Sequence, residues 1–219
     1  MTTTSHNVAA TPAAIQRRRA LADRKQRVTR EAVLDAVIEA IREQGIDFSV
    51  QDAADRAGVT HRTIYRYFES REALVEAVGE RYEEWLAEQG IAEPETFDEV
   101  LSQIELLFGL FDQRPDLVRA VAMRILTGGQ RRALSKQRTE RWRQMFEAGL
   151  PHLSGEELEP PFAICRTLTG SVGWYLLTSQ FGLSGEQAAR AVRQVIGAVL
   201  ADLRRQDEAA RWAASGRER

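Results

Sequence analysis

Residues 49–68 read Ser-Val-Gln-Asp-Ala-Ala-Asp-Arg-Ala-Gly-Val-Thr-His-Arg-Thr-Ile-Tyr-Arg-Tyr-Phe, and their spacing is that of a helix-turn-helix. Ser49 stands where it can cap a first short helix, with Asp52 at the third position favoured by the helix dipole. Ala53, Ala54 and Ala57 are small where a second helix must cross closely. Gly58 supplies backbone freedom for a sharp turn, Val59 plugs it, and Thr60 caps the next helix. Within that helix Ile64 and Phe68 lie four apart and point into a core. His61, Arg62, Thr63, Tyr65, Arg66 and Tyr67 are left facing outward or sideways. Such side chains suit a major groove: arginine pairs bidentately with guanine, while histidine, threonine and tyrosine reach bases or phosphates. An ordinary tight corner in an α-protein accounts for the alanines, the glycine and the isoleucine. It does not account for the polar and aromatic run outside them.

Upstream of this corner the charge separates. The whole chain of 219 residues carries 30 basic and 32 acidic residues, a formal net charge of −2. Between Arg17 and Arg30, however, seven basic residues face one acidic residue, Asp23, leaving 23 basic against 31 acidic elsewhere. Arg17, Arg18, Arg19, Arg24, Lys25 and Arg27 thus form a basic arm on an otherwise acidic protein, the footprint of phosphate-backbone contact. The arm is expected to enter the adjacent minor groove or to follow the backbone.

Downstream the apolar spacing is helical almost everywhere and sustained period-2 alternation is absent. The fold class is therefore all-α, with about nine helices at 28–44, 50–56, 61–67, 71–89, 96–112, 116–127, 131–148, 156–180 and 185–206. Prolines at 94, 115, 151, 160 and 161 are read as marks of helix boundaries. The expected organisation is a flexible arm (1–27), a three-helix DNA-binding domain (28–74), a larger helical domain (75–206) and a disordered tail (207–219).

Composition narrows the function. The single cysteine, Cys165, cannot make an internal disulfide, and three scattered histidines (His6, His61, His152) have no metal-ligand spacing. No metal and no cofactor is expected. No signal-like leader stands at the N-terminus, and the uncharged stretch 167–185 is too rich in Thr, Ser, Gln and Gly to span a bilayer. These features point to a cytoplasmic protein without a membrane partner. Catalysis has no footing: Cys165 has no sequence-neighbouring histidine, and Gly128-Gly129 lacks the strand-loop-helix context of a phosphate cradle.

The stretch Arg30–Leu74 resembles the N-terminal domain of TetR-family transcriptional regulators. The resemblance rests on Ala32-Val33-Leu34-Asp35-Ala36, Gly45, Ser49-Val50-Gln51-Asp52, Ala57-Gly58-Val59-Thr60 and Thr63-Ile64-Tyr65-Arg66-Tyr67-Phe68-Glu69-Ser70-Arg71-Glu72-Ala73-Leu74. It covers about a fifth of the chain. It implies nine or ten helices, a homodimer on palindromic double-stranded DNA, and a variable C-terminal domain that takes an effector. Ser49, Thr60, Tyr65, Tyr67 and Arg71 would then contact phosphates, and His61, Arg62 and Thr63 would lie nearest the base edges. Arg66 is left open between phosphate contact and plain surface. Two positions depart from the family pattern: Ala53 stands where isoleucine is usual, and Arg71 where lysine is common.

The long helices at 156–180 and 185–206 are the expected dimer surface, the first offering Gly170 and Gly173 for close approach. Phe108, Phe111, Met123, Leu126, Trp142, Phe146, Trp174 and Tyr175 are candidates to line a largely apolar effector pocket. Arg119, Arg124, Thr169 and Gln180 are its candidate polar groups. The expected function is a ligand-responsive regulator, most simply a repressor. The alternatives are a DNA-binding factor with the same head but no small-molecule inducer and, more remotely, an enzyme.

Overall fold

The computed structural model describes residues 12–127 and 133–215, which form ten α-helices and, among these residues, no strand. In chain order they are α1 (Pro12–Gln44), α2 (Val50–Arg56), α3 (His61–Tyr67), α4 (Arg71–Glu88), α5 (Phe97–Gln113), α6 (Pro115–Leu126), α7 (Ala133–Gly149), α8 (Gly155–Leu168), α9 (Ser171–Phe181) and α10 (Gly185–Ser215). The all-α reading and its small head with a larger body are those of the structure.

Ile64 of α3 sits in the centre of the head, fully buried with Val37, Ile41, Phe48, Ala53 and Leu74. The three-helix corner is held by caps as much as by apolar contact. Ser49 Oγ accepts from the Asp52 amide at 3.3 Å, and Thr60 Oγ1 accepts from the Thr63 amide at 3.1 Å. Between them Gly58 takes a φ of +64°, a left-handed conformation that side-chain-bearing residues rarely adopt. Ala53 and Ala54 are wholly buried, and α1 and α2 pack together.

Helix α4 leaves the head and packs on both α1 and α6, while α6 also packs on α1 and α9. Arg30 meets Glu80 at 3.3 Å and Arg81 pairs with Glu31 and Asp35, so charge as well as apolar surface fixes α1 along α4. In the body α5 and α10 make the most extensive helix pair, with Arg193–Glu105 and Arg204–Asp98 along its edges. An aromatic chain runs through the interior from Tyr82 to Phe111 to Trp174, whose indole N–H donates to Asp112 at 2.9 Å.

Four expectations are corrected. The first helix, expected from 28, begins at Pro12 and takes in the basic arm from there; residues 1–11 lie outside the described residues. The helix expected at 156–180 is two, because Thr169 and Gly170 turn the chain between α8 and α9. No proline marks that break. What permits it is Gly173, where a Cβ would stand 2.2 Å from the Leu168 carbonyl oxygen, so the first turn of α9 folds back against the end of α8. Pro160 and Pro161 mark no boundary and lie inside α8, whose start is secured by a reciprocal capping box between Ser154 and Glu157. The carbonyls they leave without partners belong to Glu156 and Glu157, both exposed residues open to water. Finally, α10 continues past 206 to Ser215, where a disordered tail was expected. Asp207 fastens it by accepting from the His152 amide at 2.7 Å and meeting its ring at 3.1 Å. The beginning of the helix expected at 131 and the last four residues, 216–219, are outside the described residues.

Replacing Gly173 with alanine forces a methyl group into the Leu168 backbone. Such overpacking is expected to lower stability by about 1–3 kcal/mol or more, read as a drop in the thermal midpoint; an unchanged midpoint would show that the α8–α9 turn relaxes freely.

Candidate DNA-binding face and effector cavity

Helix α3 presents His61, Arg62, Tyr65 and Arg66 to solvent while Ile64 and Phe68 face inward. His61 and Tyr65, four apart, stack edge to face with ring centroids 4.8 Å apart, which leaves Arg62 standing beside them on the same exposed surface. Arg66 lies over the Tyr67 ring at 5.0 Å and donates to its hydroxyl at 3.2 Å. Thr63 is half-buried, its hydroxyl 2.9 Å from that of Thr60. The hydroxyls of Ser49 and Thr60 are both engaged in capping, so they sit where the first turns of α2 and α3 meet the outside.

Arg71 is directed inward. Its guanidinium donates to the Ile46 carbonyl, lies over the Phe48 ring at 5.0 Å and approaches Asp47 at 3.6 Å. It fastens the α1–α2 loop to the start of α4. No residue spacing announces this, because the partner is a backbone carbonyl 25 positions upstream.

The basic residues Arg17, Arg18, Arg19, Arg24, Lys25 and Arg27 are all exposed on α1. From Arg17 to Val33, the first fully buried residue of α1, the helix runs about 24 Å at ~1.5 Å per residue. The cations are spread around it rather than gathered on one face. None of these six takes part in a salt bridge among the described residues.

Residues 33–78 match the sequence profile of the bacterial regulatory proteins of the tetR family. A curated protein, the uncharacterized HTH-type transcriptional regulator YvdT of Bacillus subtilis (strain 168), is 43% identical over 51 residues. That similarity spans 23% of this chain and 26% of the relative, about a quarter of each. The head is similar to the tetR family over these residues. Its profile covers the buried part of α1, the helix-turn-helix and the first turns of α4, the same elements that the caps and Ile64 hold together.

Behind the head, a cavity of about 580 Å³ opens between α4, α5, α6, α7 and the α8–α9 turn. Of the candidates for its lining, Phe111, Leu126 and Trp142 face it; Phe108, Met123, Phe146, Trp174 and Tyr175 do not. Phe108, Phe146 and Trp174 are core residues, Met123 packs towards Gly45 at the end of α1, and Tyr175 is half-buried on α9. Among the polar candidates Arg124 and Thr169 line the cavity, whereas Arg119 and Gln180 do not.

Sequence reasoning missed the polar wall. Tyr82, Glu83, Arg138 and Arg166 all line the cavity. Arg138 bridges Glu93 at 2.7 Å and Glu83 at 3.1 Å, across a separation of 45 and 55 residues that no spacing reveals. Arg166 lies over the Trp142 ring at 5.6 Å. Burial pushes the Tyr82 hydroxyl far above its ordinary pKa, reinforced by the charge of Glu83, so it stays a neutral donor. Cys165 on α8 is buried, and burial pushes its thiol up to about 11, the opposite of what a nucleophile needs.

Arg71→Ala is expected to lower the stability of the head by about 1–3 kcal/mol even without DNA, because the guanidinium bond to a carbonyl is removed. The exposed Asp47 pair adds little. Thermal unfolding checks this; an unaltered midpoint would return Arg71 to a purely external role.

Proposed function

We propose that the chain is a repressor that binds palindromic operator DNA as a homodimer and is released by a small organic effector. The observation that carries this reading is α3: a capped recognition helix in a tetR-family head, with His61, Arg62, Tyr65 and Arg66 exposed together. In this reading Arg62 meets a base edge, with His61 and Thr63 beside it. Ser49, Thr60, Tyr65 and Tyr67 position the head on phosphates. Arg66 shares the phosphate role, and Arg71 supports the head from inside.

One such helix reads only a few base pairs, so a second copy about one turn of DNA away, ~34–36 Å, supplies the rest of the specificity. The surface suited to pairing is the seam of α8 and α10. Ile164 on α8 is 50% exposed and Val195 on α10 is 46% exposed, with Ala191 and Ala198 one turn to either side of Val195. Two such seams packed together make a four-helix bundle. The cavity supports the effector: its volume is within the ~300–1,000 Å³ of small-molecule sites, and its apolar walls are broken by a few polar groups. Helix α6 supplies the route, since Arg124 and Val121 face the cavity while Arg124 Nη1 meets Glu76 of α4 at 3.1 Å.

Selection of bound fragments from a random DNA library is expected to return a palindrome with half-sites spaced by a helical turn or a multiple of it. On that site Arg62→Ala is expected to cost about 1–3 kcal/mol, with a smaller effect on random DNA. Equal effects on both at matched salt would make Arg62 a backbone contact, and a non-palindromic consensus would refute the dimer. Neutralising Arg17, Arg18, Arg19, Arg24, Lys25 and Arg27 is expected to flatten the slope of log K against log salt, by up to about 0.9 for each phosphate left without its cation. An unchanged slope would mean that the α1 extension never touches DNA.

A further inference from the structure

Helix α1 has one end against the body and the other beyond the head. Its last turn meets α6, where Arg42 approaches Asp116 at 3.9 Å and Met123 packs towards Gly45. Val33, Leu34, Val37, Ile38 and Ile41 form its buried face in the core of the head. Arg30 lies over the ring of Phe68, the C-cap of α3, at 5.3 Å. The residues before Arg30 therefore leave the head beside the end of α3, on the side away from the body. Every residue from 16 to 28 is exposed, a rod of about 20 Å at ~1.5 Å per residue.

Two apolar side chains stand out on this rod, Leu21 at 65% and Val28 at 62% exposure. Seven residues apart, they fall on one line along the helix. At about 100° per residue, Arg17 and Arg24 stand to one side of that line and Arg18 and Lys25 to the other, with Arg19 and Arg27 behind. Apolar groups on the midline with cations on both flanks match a groove whose floor carries thymine methyls and whose two walls are phosphate. Width decides which groove. A helix with its side chains is about 10–12 Å across, which the major groove of about 12 Å admits and the minor groove of about 6 Å does not.

We propose that the α1 extension lies in the major groove outside each half-site. Leu21 and Val28 face the floor there, and Arg17, Arg18, Arg24 and Lys25 meet the phosphates of the two walls. This rests on the reading of the head as a DNA reader in a dimer, and adds a second, largely sequence-independent contact of defined groove and length. The minor groove, one of the two seats expected for the arm, is closed to a helix. The space between the half-sites is closed as well, because two rods of about 20 Å pointing inward do not fit within the ~34–36 Å of one helical turn. Directed outward, each covers about six base pairs at ~3.4 Å per pair.

The test is binding of the full chain, at one salt concentration, to the site returned by library selection with zero, three, six and twelve base pairs added on each side. Affinity is expected to rise about tenfold or more up to six added pairs and to level off beyond them. Within the added pairs, methylation of guanine N7, on the major-groove side, should interfere with binding, and methylation of adenine N3, on the minor-groove side, should not. Ala22→Pro keeps every cation but ends the rod before Asp23, so the rise should stop at about three added pairs while affinity for the bare site is unchanged. A rise that still runs to six pairs in Ala22→Pro, or interference from adenine N3, would overturn the rigid major-groove seat in favour of a loose arm. Tight binding to the bare site with no gain from added pairs would overturn the contact and leave the DNA reader standing. Phosphatidylserine vesicles that then bind the full chain, but not a chain lacking residues 1–27, would assign the rod to a membrane surface. Binding to no duplex would overturn both readings.

Discussion

Helix α6 has almost no free face, and the rest of the molecule is arranged around that constraint. Leu117, Val118, Ala120, Val121, Ala122 and Arg124 are all buried, and α1, α4, α5 and α9 are the neighbours that bury them. The alanines let those helices come close; a larger side chain at either would be felt on two sides at once. Met123 reaches the end of α1, where its Cε lies 3.4 Å from the Cβ position of Gly45. Arg124, 5% exposed, joins α4 through Glu76. The head therefore rests on the same helix that walls the cavity. A shift of α6 reaches α1 and α4 directly, without a relay through distant side chains.

The charge distribution follows the same division. The exposed extension of α1 bears cations that no described salt bridge occupies, whereas more than half of the described arginines of the body are matched locally. Arg143 with Glu159 and Arg190 with Glu186 tie neighbouring segments at the surface, where such pairs contribute little to stability. They leave unpaired positive charge concentrated at the α1 end of the described residues. A near-zero net charge is then compatible with strong and oriented binding of DNA.

Much of this is legible in the sequence, and the limits have physical causes. The head is readable because its signals are local: caps at Ser49 and Thr60, a turn at Gly58, and Ile64 and Phe68 four apart. The α1 extension is missed as helix because high charge lowers apolar periodicity without lowering helix propensity, and Arg, Lys and Ala are good helix formers. The α8–α9 break is invisible because its cause, Gly173 against the Leu168 carbonyl, is a tertiary approach that looks like an ordinary small residue in a helix. The cavity is half readable. Aromatic and apolar spacing finds Phe111, Leu126 and Trp142, but Arg138, Glu83 and Glu93 come together only once α4 and α7 are packed.

Coupling between the cavity and the head is constrained by energy as well as geometry. In the proposed dimer a bound molecule shifts the spacing of the two heads only to the extent that it prefers one arrangement of α6; equal affinity for both shifts nothing. Moving a population from 1:99 to 99:1 requires roughly 10⁴-fold preference, about 5.5 kcal/mol. Apolar contact alone discriminates weakly between two positions of a smooth wall, because hydrophobic burial is non-directional. A charge-assisted hydrogen bond is directional and short-ranged, so it weakens steeply on a small displacement. A ligand that hydrogen-bonds at the α8–α9 turn while its apolar body lies on α6 holds two elements at a fixed separation. Displacement of α6 then costs the ligand at one end or the other, and in the proposed dimer that cost selects a single spacing of the heads.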